Sequence, residues 1–379
     1  MSGAPVVSGT SATATASGVS TATGSPGTVA AGRRIFLPSP FGDIHARIWQ
    51  AGGAGPVAGE AAGGELAGEN PAGASRRPCV VLVHGMFGDV GVWSAMALNL
   101  ARAGLQVLAF DLPGHGRSTA QVENADETAQ ALETALQAYA EASAQHPVPV
   151  LLVGHSFGGL VAAMLAERLC RSSAAQGVNV AGAGNAADVA NAADIANVAG
   201  ADVFPASGYS GKAPPGGAGP VCGVRDGAVS LTGLVVLSTS GLGEEVNRDF
   251  LLGVIEAPDA DAMARVLAAL TVRHFRSSSA YMKAMHARIH SAKDQLYRLV
   301  DDVVDGTGRQ VHSILEILAA LPVPVTLVHG REDAVLPWQQ ALNVPGSVAI
   351  HLLPDVGHMP HWEAAALVST IIGRAAGRG

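Results

Sequence analysis

Charge is what this sequence has least of. Only 14% of its 379 residues are Asp, Glu, Lys or Arg, against roughly a quarter in an average soluble protein. No basic run exceeds the pairs Arg33-Arg34 and Arg76-Arg77, and the net charge is −8. A nucleic-acid partner or an anionic membrane surface is therefore not expected. Cysteine is scarce as well: Cys79, Cys170 and Cys222 form no CxxC and no metal-ligand spacing. That excludes a disulfide scaffold and a zinc site, and it is compatible with a reducing compartment. Pro, Gly or a charge interrupts every apolar stretch before the roughly eighteen residues that a membrane span needs. Residues 1–31 contain no basic residue and no apolar core of a signal peptide. The expectation is a soluble, cytoplasmic protein acting on a small molecule.

Alanine and 47 glycines fill the space that charge vacates. They concentrate in 1–31, 51–77 and about 172–228, which hold too little bulky apolar side chain to offset the entropy of ordering. We read 1–31 as a disordered tail and the other two as flexible low-complexity insertions. Between them, short aliphatic runs alternate with helical patterns. Ile35–Leu37 and Ile44–Trp49 read as a hairpin. Cys79–His84, Gln106–Phe110 and Val148–Val153 are continuous apolar runs, as strands buried on both faces must be, and Leu234–Leu237, Val323–Val328 and Val348–Leu353 supply more. Val90–Ala103, Ala125–Ala144, Phe157–Leu169 and Trp362–Ile372 read as helices. This alternation predicts an α/β fold with a doubly wound, mostly parallel sheet. From Gly241 to His312 the pattern is helical only, over Phe250–Ile255, Met263–Leu270 and Tyr281–Val304. The expected organisation is a core in two parts, 32–240 and 313–379, separated by a helical lid at 241–312.

The most informative stretch is Val153-Gly154-His155-Ser156-Phe157-Gly158-Gly159. It sets G-x-S-x-G between a strand and a helix, the context in which a serine is presented on a strained turn at the sheet's carboxyl edge. The glycines remove Cβ atoms where strand and helix approach, and the Phe157 amide and helix dipole would meet negative charge developing beside Ser156. A serine nucleophile needs a base, and the base an orienting acid. Val328-His329-Gly330-Arg331-Glu332-Asp333 ends a strand and delivers Asp333 as the acid, with the longer Glu332 set aside. Asp355-Val356-Gly357-His358 follows the next strand and offers His358 as the base, with His361 three residues on as the alternative. The second oxyanion donor is expected from His84-Gly85-Met86-Phe87-Gly88: the amide of Met86, or failing that of Phe87. Phe87 and His155 are the candidate substrate-contacting side chains. Asp111 and Arg117 read as loop-tying residues, and His84, His155 and His329 as packing and hydrogen-bonding groups. No metal set and no cofactor motif is present.

Together His84-Gly85, Asp111-Leu112-Pro113-Gly114-His115-Gly116-Arg117-Ser118, Gly154-His155-Ser156-Phe157-Gly158-Gly159, Gly330-Arg331-Glu332-Asp333 and Gly357–Glu363 resemble the α/β-hydrolase superfamily. Ser238–Asn247, Gly308-Arg309-Gln310 and Gly357–Glu363 look more closely like the hydrolase-like catalytic domain of the dihydrolipoyllysine acetyltransferase components of acetoin dehydrogenase. They also resemble meta-cleavage C–C hydrolases. The resemblance implies two-step acyl chemistry by a Ser-His-Asp triad on a small, largely apolar ester, lactone or thioester, the lid supplying Phe250, Phe275 and Tyr281. Acyl transfer to a thiol, C–C hydrolysis or a non-catalytic ligand-binding role on the same scaffold are the alternatives. In the acetyltransferase components a lipoyl domain precedes this one. The first lysine here is Lys212, so no residue before it can be lipoylated, and acyl transfer in the manner of that family would use a separate carrier.

Overall fold

The structure, a computed structural model, describes residues 32–51, 77–143, 147–177, 222–223, 228–273 and 277–377. The expectations for 1–31, for nearly all of 51–77, for most of 172–228 and for Phe275 lie outside them. In chain order the elements are β1 (Arg33–Leu37), β2 (Ile44–Trp49), β3 (Cys79–Val83), α1 (Ser94–Arg102), β4 (Val107–Phe110), α2 (Ala125–Glu141), β5 (Val148–His155), α3 (Phe157–Gly177), β6 (Cys222–Gly223), β7 (Val229–Leu237), α4 (Arg248–Glu256), α5 (Ala260–Leu267), α6 (Ser279–Ser291), α7 (Lys293–Val303), α8 (Leu315–Ala320), β8 (Val325–Gly330), β9 (Ala349–Leu353), α9 (Pro360–Glu363) and α10 (Ala365–Ala375).

The strands form one sheet in the order β1-β2-β4-β3-β5-β7-β8-β9. From β4 to β9 along that order every neighbour is parallel, while β1 and β2 pair antiparallel at one edge. Alternate residues of each central strand enter two separate cores. On β3, Val80 and Leu82 join Met96, Leu100, Val368 and Ile372 of α1 and α10. Val81 and Val83 join Leu132, Leu136, Leu160 and Leu165 of α2 and α3 on the opposite face. Each fully buried Leu or Val contributes about 1.5–3 kcal/mol, so the central strands can afford almost no polar side chain except at their carboxyl ends.

Three breaks with the sequence expectation stand out, the first being that the helix expected over Trp362–Ile372 is interrupted at Ala364, between α9 and α10. The short strand β6 lies within the segment read as a flexible insertion and pairs antiparallel with β7, at Cys222↔Leu231 and Gly223↔Ser230. There β7 has a free edge, because β8 begins to pair only at Leu234. The single helix expected over Tyr281–Val304 is two, since Ala292 leaves helical geometry with φ −103° and ψ 13°. The bend lets α6 pack on α5 while α7 turns Leu296, Leu299, Val300 and Val303 toward α2 and α4. Among the described residues no helix is long and apolar enough to cross a membrane.

Candidate active site

Ser156 stands alone between β5 and α3 with φ +54°, a left-handed conformation that costs a non-glycine residue of order 1 kcal/mol or more. The surroundings hold it there. Its amide donates to the Leu237 carbonyl of β7 at 3.0 Å, and its own carbonyl accepts from Gly159 at 2.9 Å. The turn requires glycine on its helical side: a Cβ on Gly158 would lie 2.2 Å from the His84 carbonyl oxygen. The loop after β3 is equally close, since a Cβ on Gly85 would come within 2.9 Å of Ser156 Cβ.

Asp333 and His358, twenty-five residues apart, meet at the ends of β8 and β9. His358 Nδ1 lies 2.8 Å from Asp333 Oδ2. The other carboxylate oxygen accepts the amides of Val335 at 2.8 Å and Leu336 at 2.9 Å. Burial alone would push this carboxyl up, but the His358 charge and the hydrogen bonds from His329 and His358 outweigh it and hold it well below the usual carboxylate range. An ionised carboxylate only accepts, so the neutral form of His358 carries its proton on Nδ1 and presents a bare Nε2. His358 and Ser156 line the same cavity. Glu332 takes no part, its carboxylate accepting the Val356 amide at 3.2 Å.

The cavity encloses about 640 Å³, part of it open to solvent, and is walled by Phe87, Phe250, Leu267, Tyr281, Met285 and Trp362 among others. Phe87 has φ +69°. A smaller space of about 350 Å³ touches Ser156 from the other side and is lined by Met86, Phe157, Val246, Val303 and Val304. The amides of Met86 and Phe157 donate no hydrogen bond within the described residues. They leave two free N–H groups on the chain segments that flank Ser156. His155 lines the larger cavity, but its Nε2 is held 2.7 Å from the His358 carbonyl oxygen. His361, the alternative base, is buried against Trp93 and His155 with both ring nitrogens unpartnered, and burial pushes its pKa down to about 3. No carboxylate orients it, unlike His358.

A serine on a strained strand–helix turn, an Asp–His pair and a helical cap over one sheet edge form a recognisable combination. Residues 80–370 match the model of the alpha/beta hydrolase family. The chain belongs to this family. Two curated relatives, the dihydrolipoyllysine-residue acetyltransferase components of the acetoin cleaving systems of Pseudomonas putida and Cupriavidus necator, are 27% and 23% identical. Each alignment covers 76% of this chain, and this chain spans only about three fifths of those relatives, 61% and 60%. Among solved structures, the alpha/beta hydrolase resembles a 2-hydroxy-6-oxo-6-phenylhexa-2,4-dienoate hydrolase from Rhodococcus with TM-score 0.60 at 13% identity, covering 91% of this chain and 98% of that one. A Bacillus subtilis carboxylesterase gives TM-score 0.54 at 13% identity, with 90% of each chain covered. At such identity these two establish the fold alone.

Sequence reading missed the clamp that Glu363 makes in this alpha/beta hydrolase. One carboxylate oxygen accepts the Gly357 amide at 2.7 Å, the other the amides of Val272 and Arg273 at 2.9 and 3.2 Å. The His358 amide in turn donates to Leu270 at 2.9 Å. The loop carrying the imidazole and the segment that follows α5 are thus one hydrogen-bonded unit. Nothing in the spacing of the sequence joins residue 363 to 272. Among the described residues no group of His, Cys, Asp and Glu is placed to hold a metal ion.

Proposed function

We propose that the protein is a serine hydrolase acting on a small, largely apolar ester, lactone or thioester. The observation that carries this reading is the 2.8 Å contact between His358 Nδ1 and ionised Asp333 at the wall of the cavity that Ser156 also lines. In this reading the bare Nε2 of His358 takes the Ser156 proton as Oγ attacks the substrate carbonyl. The Met86 and Phe157 amides receive the oxyanion, each contributing about 2.7–4 kcal/mol. His358 then returns its proton to the leaving group and activates water against the acyl-enzyme. Phe87, with the lid residues around it, forms the apolar wall for the substrate, and His155 steadies the base through its backbone. No cofactor enters, and a cytoplasmic location belongs to the same reading.

A second reading keeps the residues and replaces water by a thiol, giving acyl transfer to coenzyme A or a carrier. It is favoured by the printed activity of the two curated relatives. Fluorophosphonate labelling and turnover of a short-chain p-nitrophenyl ester, with and without coenzyme A, test both. We expect the wild type to label and turn over and Ser156→Ala to do neither. A folded wild type that does neither sinks the enzyme reading in favour of a ligand-binding role. A thioester product would replace hydrolysis by transfer.

A further inference from the structure

The carboxylate that orients His358 serves two imidazoles. His329, near the end of β8, is fully buried. Its Nε2 lies 3.3 Å from Asp333 Oδ2 and 3.1 Å from the Leu336 carbonyl oxygen. Both neighbours are acceptors, so the proton sits on Nε2. Nδ1 is buried with no partner, and a second N–H there would be orphaned in the core. When neutral, His329 is accordingly the Nε2-protonated tautomer. Asp333 thus accepts two backbone amides on Oδ1 and His358 Nδ1 on Oδ2, and the same Oδ2 is the second, longer neighbour of the His329 Nε2–H, after the Leu336 carbonyl.

We infer that His329 is a positioning residue for the base. It anchors Oδ2 of Asp333 and draws off part of its charge, so that His358 binds its proton less tightly than a lone Asp–His pair would make it. The inference rests on Asp333 and His358 acting as acid and base. The other titratable groups facing His358 do not substitute for His329. His155, from β5, has its ring centroid 4.9 Å away, and burial first and then the neighbouring histidines hold it well below the usual range. His361, from α9, is likewise kept neutral by burial. Tyr281, from α6, lines the cavity with its phenol pushed up to about 12 by burial. Glu332 and Glu363 spend their carboxylates on backbone amides of the same loops. Only His329 shares the atom that His358 binds.

The test is a nitrogen-15 NMR titration of the histidine rings in the full chain, wild type against His329→Leu and His329→Gln, with the pH dependence of fluorophosphonate labelling measured alongside. In the wild type the neutral His329 ring is expected to show the Nε2–H tautomer. Removing the donor with Leu should raise the proton affinity of His358 about three- to tenfold, moving the acid limb of labelling to higher pH. Gln restores an N–H at the Nε2 position and should return the midpoint to within about twofold. An unmoved His358 midpoint in folded His329→Leu overturns the inference, as does an Nδ1–H tautomer in the wild type. If the Leu variant does not fold, the wild-type tautomer and the Gln variant decide. Because the midpoint needs no turnover, a wild type that fails to label would sink the hydrolase reading while the ring titration still judges His329.

Discussion

Two buried carboxylates in this molecule are built almost alike. Asp111 follows β4 and Asp333 follows β8; each accepts two backbone amides and at least one histidine ring. Asp111 takes Val90 at 2.6 Å, Arg117 at 2.8 Å and His45 Nδ1 at 2.7 Å. Both are held below the ordinary carboxylate range: burial opposes ionisation, and it is overridden at Asp111 by His45 and His84 with two backbone amides, and at Asp333 by His358 and His329. They differ in where the far side of the histidine leads. His45 Nε2 is buried with no partner, whereas His358 borders the cavity that contains Ser156. An Asp–His pair is therefore not a site by its own chemistry. It becomes one when the second ring nitrogen faces a space that a substrate can enter beside a nucleophile.

The strongest way to break the comparison is to remove each carboxylate. Asp333→Asn should leave a folded protein whose kcat/KM for an ester falls by about 10⁴, because His358 loses its tautomer and its partner charge. Asp111→Ala should do the reverse. It strands three donors, two of them buried, so unfolding in urea should show a loss of about 3–5 kcal/mol, while the folded fraction keeps kcat/KM within about threefold. Equal losses of activity in both variants, at matched folded fraction, would show that Asp111 acts beyond its loop.

Acid should find the histidines before it finds either carboxylate. Burial pushes His115 and His361 down to about 3 and lowers His84 and His155 as well. The unfolded chain binds these protons near 6.5 and the folded chain does not, so stability is complete above 6.5 and is lost as pH falls from there toward 3. The paired aspartates add their own loss only below about 3.8, where the unfolded carboxyls protonate. For His115 and His361 this should cost a few kcal/mol each across the window. Urea midpoints at pH 7, 5.5 and 4.5 check this, and a flat profile between 7 and 4.5 would mean that the rings are hydrated and protonate in place. His361→Phe, which removes an unpartnered titrating ring beside Trp93, should flatten the curve.

Much of this was legible before any coordinates. The central strands declare themselves as aliphatic runs because both faces are buried, and Ser156 and Asp333 follow two of them; His358 follows the exposed edge strand β9, and the parallel order of the sheet brings all three to one edge. Legibility ends where a role depends on which atoms are already engaged. His358 and His361 sit in the same seven-residue stretch, and only Asp333 on one ring and unpartnered nitrogens on the other tell them apart. His155 reads as a substrate contact from its place beside Ser156 and does line the cavity, but spacing could not show that its Nε2 is engaged by a carbonyl 203 positions away. The β6 pairing was hidden because Cys222-Gly223 lies in a segment whose composition signals disorder, and the free edge that recruits it belongs to another strand.

Glu363 sharpens the comparison, as a carboxylate that touches no histidine and binds only amides. Glu363→Ala releases Gly357, Val272 and Arg273 together, loosening the base loop and the segment after α5 in one step. A displacement of the imidazole on this scale is expected to lower kcat about 10- to 100-fold, with Glu363→Gln recovering part of it through its remaining acceptor oxygen. Stopped-flow acylation separates this from a substrate-binding defect, which would raise KM and spare kcat.

The smallest effect belongs to the far edge of the Asp111 cluster. Asp89 Oδ1 accepts the Gly91 amide at 2.7 Å, and Oδ2 pairs with Arg288 of α6 at 2.7 Å. Val90, next in sequence, is the residue whose amide Asp111 holds. The lid is thus tied to the structural carboxylate through Asp89 and to the other carboxylate's base loop through Glu363. The two ties should not be equal. Arg288 is 37% exposed, and a screened pair of that kind contributes about 0.2–1 kcal/mol. Arg288→Ala should therefore raise KM about two- to fivefold with kcat unchanged, and the difference from wild type should shrink as salt is raised from 20 mM to about 1 M, where screening acts within ~3 Å. A fall in kcat as large as that of Glu363→Ala would mean that this latch, and not the base-loop clamp, sets the geometry at Ser156.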